Sequence, residues 1–145
     1  PDLTTIIFVP DAPMSTQESR SILPRTVSRE DAVYNLGRVA LLVNALSSGH
    51  LENLRVATQD RLHQPARENI FPAMKYVFRA ALDAGALGVF LSGSGSSVLA
   101  LTAGHELTVG YEMADAADKS GITGEVRISR PTTLAFQTVS PSEAR

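Results

Sequence analysis

The chain has 145 residues, 43% of them hydrophobic and 19% charged, with a formal net charge of −2. That is long enough to enclose one hydrophobic core, and the near-neutral balance gives no electrostatic ground for nucleic acid or an anionic membrane as partner. There is no cysteine, which excludes disulfides, thiol catalysis and cysteine-based zinc sites.

Three histidines, His50, His63 and His105, lie far apart and show no metal-ligand spacing. No apolar run approaches a bilayer span and no signal-peptide pattern is present, so a cytoplasmic location is expected. Eleven of the thirteen basic residues are arginine, the better fork for carboxylate and phosphate, although a GC-rich coding sequence gives the same bias. The first residues enter a strand-like run at once and without Met, so a piece of a longer protein is expected.

Thr4 to Val9 is apolar and β-branched, closed by Pro10, and reads as a buried strand. The following "DAPMSTQESRSILP" predicts a polar turn and a short helix that stops before Pro24. Ser28 with Asp31 forms a capping-box signature. Behind it Val33, Leu36, Val39, Ala40, Val43 and Leu46 recur at helical spacing up to Gly49, about five turns of amphipathic helix. Leu51, Leu54, Ala57 and Leu62 suggest another helix, ended by Pro65.

Pro72 is placed to open a further helix, with Met74, Val77, Phe78, Ala81 and Leu82 as its stripe and Gly85 as its end. Two strand-like runs follow, Leu87–Leu91 and Val98–Thr102, joined by six small residues. Leu107, Tyr111, Ala114 and Ala117 imply a helix between His105 and Lys119. "GEVRISR" alternates, with Val126 and Ile128 expected inward, as in an antiparallel strand with one wet face. A last strand is expected near 134–139. The order predicts an α+β fold, a ferredoxin-like two-layer sandwich with a small antiparallel sheet and helices on one face.

Three stretches could carry chemistry. The loop "SGSGSS", Ser92 to Ser97, lacks the Lys of a Walker A motif and the third glycine of a dinucleotide fingerprint. It reads either as a plain hairpin connection or as a wall of a site where backbone N–H groups face an anion or another domain approaches closely. "DRLHQPAR", Asp60 to Arg67, collects an acid, two arginines, a histidine and a glutamine around a proline, with His63 and Arg67 straddling the break. A solvated helix end is the plainer reading. In "MSTQESR", Thr16 and Arg20 are four apart and share a helical face. Together they could hold a carboxylate, or they could be a helix cap and a surface arginine.

The order of "MSTQESRSILP", "DAVYNLGRVALLVNAL", "DRLHQPAR" and "GVFLSGSGSSVLAL" resembles the C-terminal half of homoserine kinases. These belong to the galactokinase–homoserine kinase–mevalonate kinase–phosphomevalonate kinase (GHMP) superfamily, and the resemblance covers nearly the whole chain. It implies a GHMP kinase C-terminal domain over 1–140 with a tail at 141–145. It also implies a transferase of threonine biosynthesis that moves the γ-phosphoryl of ATP to the side-chain hydroxyl of L-homoserine.

By the same resemblance Thr16, Arg20 and Arg67 contact the substrate. Gly93, Ser94, Gly95, Ser96 and Ser97 form the active-site loop, with His63 and Asp60 supporting from behind. The loop has serines where the family usually carries Ala and Pro, and Ala66 stands where an aromatic is common. The superfamily's phosphate loop, P-x-x-x-G-L-G-S-S, does not occur in the sequence. The resemblance therefore implies that ATP and Mg are bound mainly by an N-terminal domain outside this chain, that no catalytic or metal-binding residue lies within it, and that the chain alone is inactive. Its implied partners are L-homoserine, its own N-terminal domain and, as a further option, a second copy in a homodimer. Two alternatives stand beside it: a GHMP kinase for another small alcohol, and a non-catalytic interaction module of the same fold.

Overall fold

The structure is a computed structural model that describes residues 2–12 and 14–132. Four strands form one sheet: β1 (Thr4–Pro10), β2 (Gly88–Leu91), β3 (Val98–Thr102) and β4 (Gly124–Ser129). Their order is β2-β3-β1-β4, and every neighbouring pair is antiparallel. The helices are α1 (Thr16–Ser21), α2 (Arg29–Ser48), α3 (Leu54–Ala57), α4 (Gln64–Arg67), α5 (Met74–Asp83) and α6 (Glu106–Asp118), with a 3-10 turn at Leu51–Asn53 before α3. With β1 leading through helices to the β2–β3 hairpin, then α6 and β4, this is the α+β fold with a small antiparallel sheet that the pattern predicts, except that helices cover both faces of the sheet and not one.

Alternation along the strands sets two apolar layers. Ile6, Phe8, Val89, Leu91, Val98 and Ala100 point to one face, where Met74, Val77 and Ala81 of α5 and Val109, Met113 and Ala117 of α6 cover them. On the other face Leu87, Phe90, Leu99 and Leu101 meet Leu42 and Ala45 of α2 and Leu54 of α3. The stripe predicted for α5 is thus its buried side. The stripe predicted for α6 is so only at Ala117: Leu107 is 80% exposed and Tyr111 68% exposed, while Val109, Gly110 and Met113 face the sheet. Small residues decide this. A side chain at Gly110 would meet Val126 Cγ1 at 3.0 Å, so the helix lies too close to the sheet there for a larger residue.

Three further differences have local causes. The helix expected across Leu51–Leu62 ends at Ala57, and Pro65 begins α4 instead of ending a helix. Proline fits the first turn because its missing N–H has no intrahelical partner there. His63 and Arg67 therefore belong to one turn, with the Arg67 N–H donating to the His63 carbonyl at 3.1 Å. Ile128 lies on an edge strand and is 48% exposed, whereas Val126 packs against the core. The expected strand near 134–139 lies outside the described residues.

The N-cap of α2 is as predicted: the Asp31 N–H donates to Ser28 Oγ at 3.0 Å, and the Ser28 hydroxyl donates back to the Asp31 carboxylate at 2.7 Å. The apolar stripe of this helix is turned outward. Val33, Leu36, Val39, Val43 and Leu46 are between 40% and 70% exposed.

Gly88 allows α3 to sit on the sheet. A Cβ at this position would fall 2.8 Å from Thr58 Cγ2 and 3.0 Å from the Leu54 carbonyl oxygen. G88V is expected to lower stability by about 1–3 kcal/mol, the usual cost of overpacking, measured as a fall in the urea midpoint. An unchanged midpoint would mean that α3 is free to shift.

Candidate functional site

The region begins with a carboxylate. Asp60 follows α3 and accepts from the backbone N–H groups of Leu62 (3.1 Å), His63 (2.8 Å) and Gln64 (2.6 Å), which fixes the chain as it enters α4. It also accepts from Asn35 Nδ2 of α2 at 2.6 Å, and Asn35 Oδ1 accepts from the Arg61 N–H at 3.0 Å. The His63 ring lies alongside, its Nδ1 3.5 Å from Asp60 Oδ2. Partial burial works to raise the Asp60 pKa, but hydrogen bonds from Gln64, Asn35, His63 and Leu62 outweigh it and hold the carboxyl below the usual aspartate range.

Once α4 is set, two of its side chains reach the hairpin. Gln64 Oε1 accepts from the Leu91 N–H at 2.9 Å, at the last residue of β2. Arg67, only 6% exposed, donates from Nη1 to the Gly93 carbonyl at 3.1 Å. The glycine–serine loop is held from the opposite side as well. The Ser96 hydroxyl donates to the Ala12 carbonyl at 3.4 Å, and Met14 Cε lies 3.1 Å from where a Gly95 side chain would begin. The loop closes on itself through the Ser92 N–H to the Ser97 carbonyl at 2.8 Å. Gly93 and Gly95 have φ of +60° and +86°, a backbone region that disfavours side chains. The small residues thus form a shaped turn between α4 and the segment that leads into α1.

Asn35, Arg38, Asp60, His63, Gln64 and Arg67 line a cavity of about 310 Å³, with Gly93 at its edge. The Nε atoms of Arg38 and Arg67 are buried and have no hydrogen-bond partner among the described residues. A larger groove of about 950 Å³ runs between α5 and α6 but contains none of the residues singled out from the sequence. The smaller cavity is the better candidate, because two arginines, Arg38 and Arg67, line it and neither forms an ion pair with a described residue.

Of the sequence-predicted residues, Asp60, His63 and Arg67 are brought together here, and Gly93 to Ser97 adjoin them. Thr16 and Arg20 are not in this cavity. They stand exposed on α1, which Ser15 caps through the Glu18 N–H at 3.4 Å, on the Met14 side of the loop. Arg38 escaped the sequence reading because it sits inside the apolar run of α2. Its spacing from Tyr34 was the available signal, since its guanidinium lies 3.8 Å from the centre of the Tyr34 ring.

Among the described residues no three His, Asp or Glu side chains group as metal ligands. No helix of the described residues is long and apolar enough to cross a membrane.

This arrangement of sheet, hairpin loop and α4 has counterparts in known proteins. The family model of the GHMP kinases C terminal matches residues 38–121, more than half of the chain, and the chain belongs to that family. Within it the chain is similar to homoserine kinases. That of Moorella thermoacetica is 43% identical over 131 residues, covering 90% of this chain and 44% of the relative. That of Desulfitobacterium hafniense is 44% identical over 126 residues, covering 86% and 42%. The crystal structure of the Cytophaga hutchinsonii homoserine kinase superposes with a TM-score of 0.84 at 34% identity, over 88% of this chain and 41% of that one. A Streptococcus pneumoniae phosphomevalonate kinase, at 16% identity and a TM-score of 0.57, shares the fold. The chain spans less than half the length of the relatives it matches.

Replacing Asp60 should expose its role. Its folded pKa is depressed, so its contribution to stability is complete above the ordinary aspartate value of about 3.9 and is lost as pH falls through the folded value. D60A is expected to cost about 2 kcal/mol at pH 7, and the gap from wild type should narrow on acidification below the aspartate range. Urea melts at neutral and acidic pH measure both. A gap independent of pH would assign the loss to packing instead of charge.

Proposed function

We propose that this chain is the acceptor-binding half of a homoserine kinase, a cytoplasmic enzyme of threonine biosynthesis that phosphorylates the side-chain hydroxyl of L-homoserine. The observation that carries the reading is Arg67: a buried arginine without an acidic partner among the described residues, lining a cavity and tied to the glycine-rich loop, in a chain of this family. Its planar fork matches a carboxylate. Thr16 and Arg20 approach the substrate from the α1 side of the same loop. Asp60 and His63 keep α4 in place.

Phosphoryl transfer depends on positioning and on neutralising charge around the phosphates, by metal and by donors. Among the described residues no three His, Asp or Glu side chains group as metal ligands, and we assign ATP and Mg to an N-terminal half. The chain on its own is then inactive. The outward stripe of α2 supports a missing neighbour, because five large aliphatic residues along one helix face form an apolar surface of the kind that marks an interface. We assign it to the N-terminal half. A second copy of the chain, or docking without catalysis, is the competing occupant.

ADP release by the full-length protein and by this chain alone, with homoserine, mevalonate or galactose offered, tests the reading. Turnover of homoserine by the full-length protein and none by the chain alone is expected. Turnover of a different alcohol would keep the family and overturn the substrate. No turnover of any acceptor would favour a docking module. In the full-length enzyme R67A is expected to raise the homoserine KM about 30-fold or more, as for truncating one side of a buried charged pair. An unchanged KM removes Arg67 from the site.

A further inference from the structure

Arg67 does not face the cavity alone. Arg38 enters it from α2, and the two guanidinium groups share its lining with one carboxylate, Asp60. That carboxylate is already occupied by three backbone N–H groups and Asn35. Neither Arg38 nor Arg67 forms an ion pair with a described residue. Two guanidinium groups outnumber the one carboxylate in this lining, so an excess of positive charge faces the cavity. An anion removes it.

Arg38 is also held ready. Its guanidinium stacks at 3.8 Å on the Tyr34 ring, and Arg61 lies 4.0 Å from the same ring centre. The Tyr34 hydroxyl is fixed by donation to Gln59 Oε1 at 2.6 Å. Arg61 is drawn outward to Glu30 at 3.2 Å, which leaves Arg38 as the member of the pair that lines the cavity. A stacked, planar fork loses little freedom on binding.

We propose that Arg38 is a second acceptor-binding residue, which together with Arg67 grips the acceptor's carboxylate in this cavity. The proposal rests on the homoserine kinase reading and adds to it the residue that selects an anionic acceptor. A cavity of this size takes a small amino acid and leaves its hydroxyl end free to face the other half of the enzyme.

The test uses the full-length protein as wild type, R38M and R38K, with L-homoserine and its neutral carboxamide as acceptors. R38M is expected to raise the homoserine KM about 10- to 100-fold, the range for losing a charge-assisted hydrogen bond. The carboxamide KM should change less than about threefold, R38K should recover part of the loss, and the KM for ATP should stay put. Comparing two acceptors on one preparation separates recognition from misfolding. Equal losses on both acceptors, or no change with homoserine, overturn the proposal. If wild type fails to phosphorylate homoserine, the functional reading falls, and Arg38 is judged by binding alone. Homoserine or acetate should then raise the melting temperature of wild type and not of R38M; equal protection, or none in wild type, overturns the assignment.

Discussion

The site is organised by the carboxylate of Asp60 and the four donors that converge on it. Three are consecutive backbone N–H groups and the fourth comes from Asn35, so a single side chain joins the long α2 helix to the first turn of α4. Position and direction of α4 follow from that junction. Gln64 then reaches the end of β2 and Arg67 reaches the loop beyond it. A four-residue helix has little intrinsic stability, so its geometry is imposed from outside. Removing the carboxylate would loosen Arg67 without touching it.

Around this junction positive charge is arranged unevenly. Arg61 faces outward to Glu30 and Asp31, where solvent screens the pairing and its worth is small. Arg38 and Arg67 face inward without such partners. Two arginines lining one cavity without an ion pair among the described residues suit binding better than folding. The loop fits the same logic. With Gly93 and Gly95 in left-handed backbone and Ser96 anchored to Ala12, its shape is set before any ligand arrives.

How much of this was legible in the sequence varies with the range of the interactions. Local signals survived well: the Ser28 cap, the α5 stripe ending at Gly85, and the two strands flanking the loop all depend on near neighbours. Signals that depend on partners far along the chain did not. Leu107 and Tyr111 match helical spacing as well as Val109 and Met113 do, and only the close approach of Gly110 to Val126 chooses between them. Pro65 reads equally as a helix end or a helix start until Asp60 is seen to hold the N–H groups before it. Arg38 was hidden because an arginine inside an apolar run is assumed to lie on the wet side of its helix. The stacking on Tyr34 and the cavity beyond it are visible only in three dimensions.

The inverted character of α2 ties these points together. One long helix carries Asn35 and Arg38 toward the cavity, Leu42 and Ala45 toward the sheet, and an apolar stripe toward solvent. A helix apolar on the side away from its own core is expected where a second body is to pack. If the neighbour proposed for that stripe carries the phosphate donor, the same helix touches both it and the acceptor cavity. Packing on Val33, Leu36 and Val39 would then bear directly on the turn that holds Arg38. Docking of such a neighbour would then also brace the cavity that Arg38 lines.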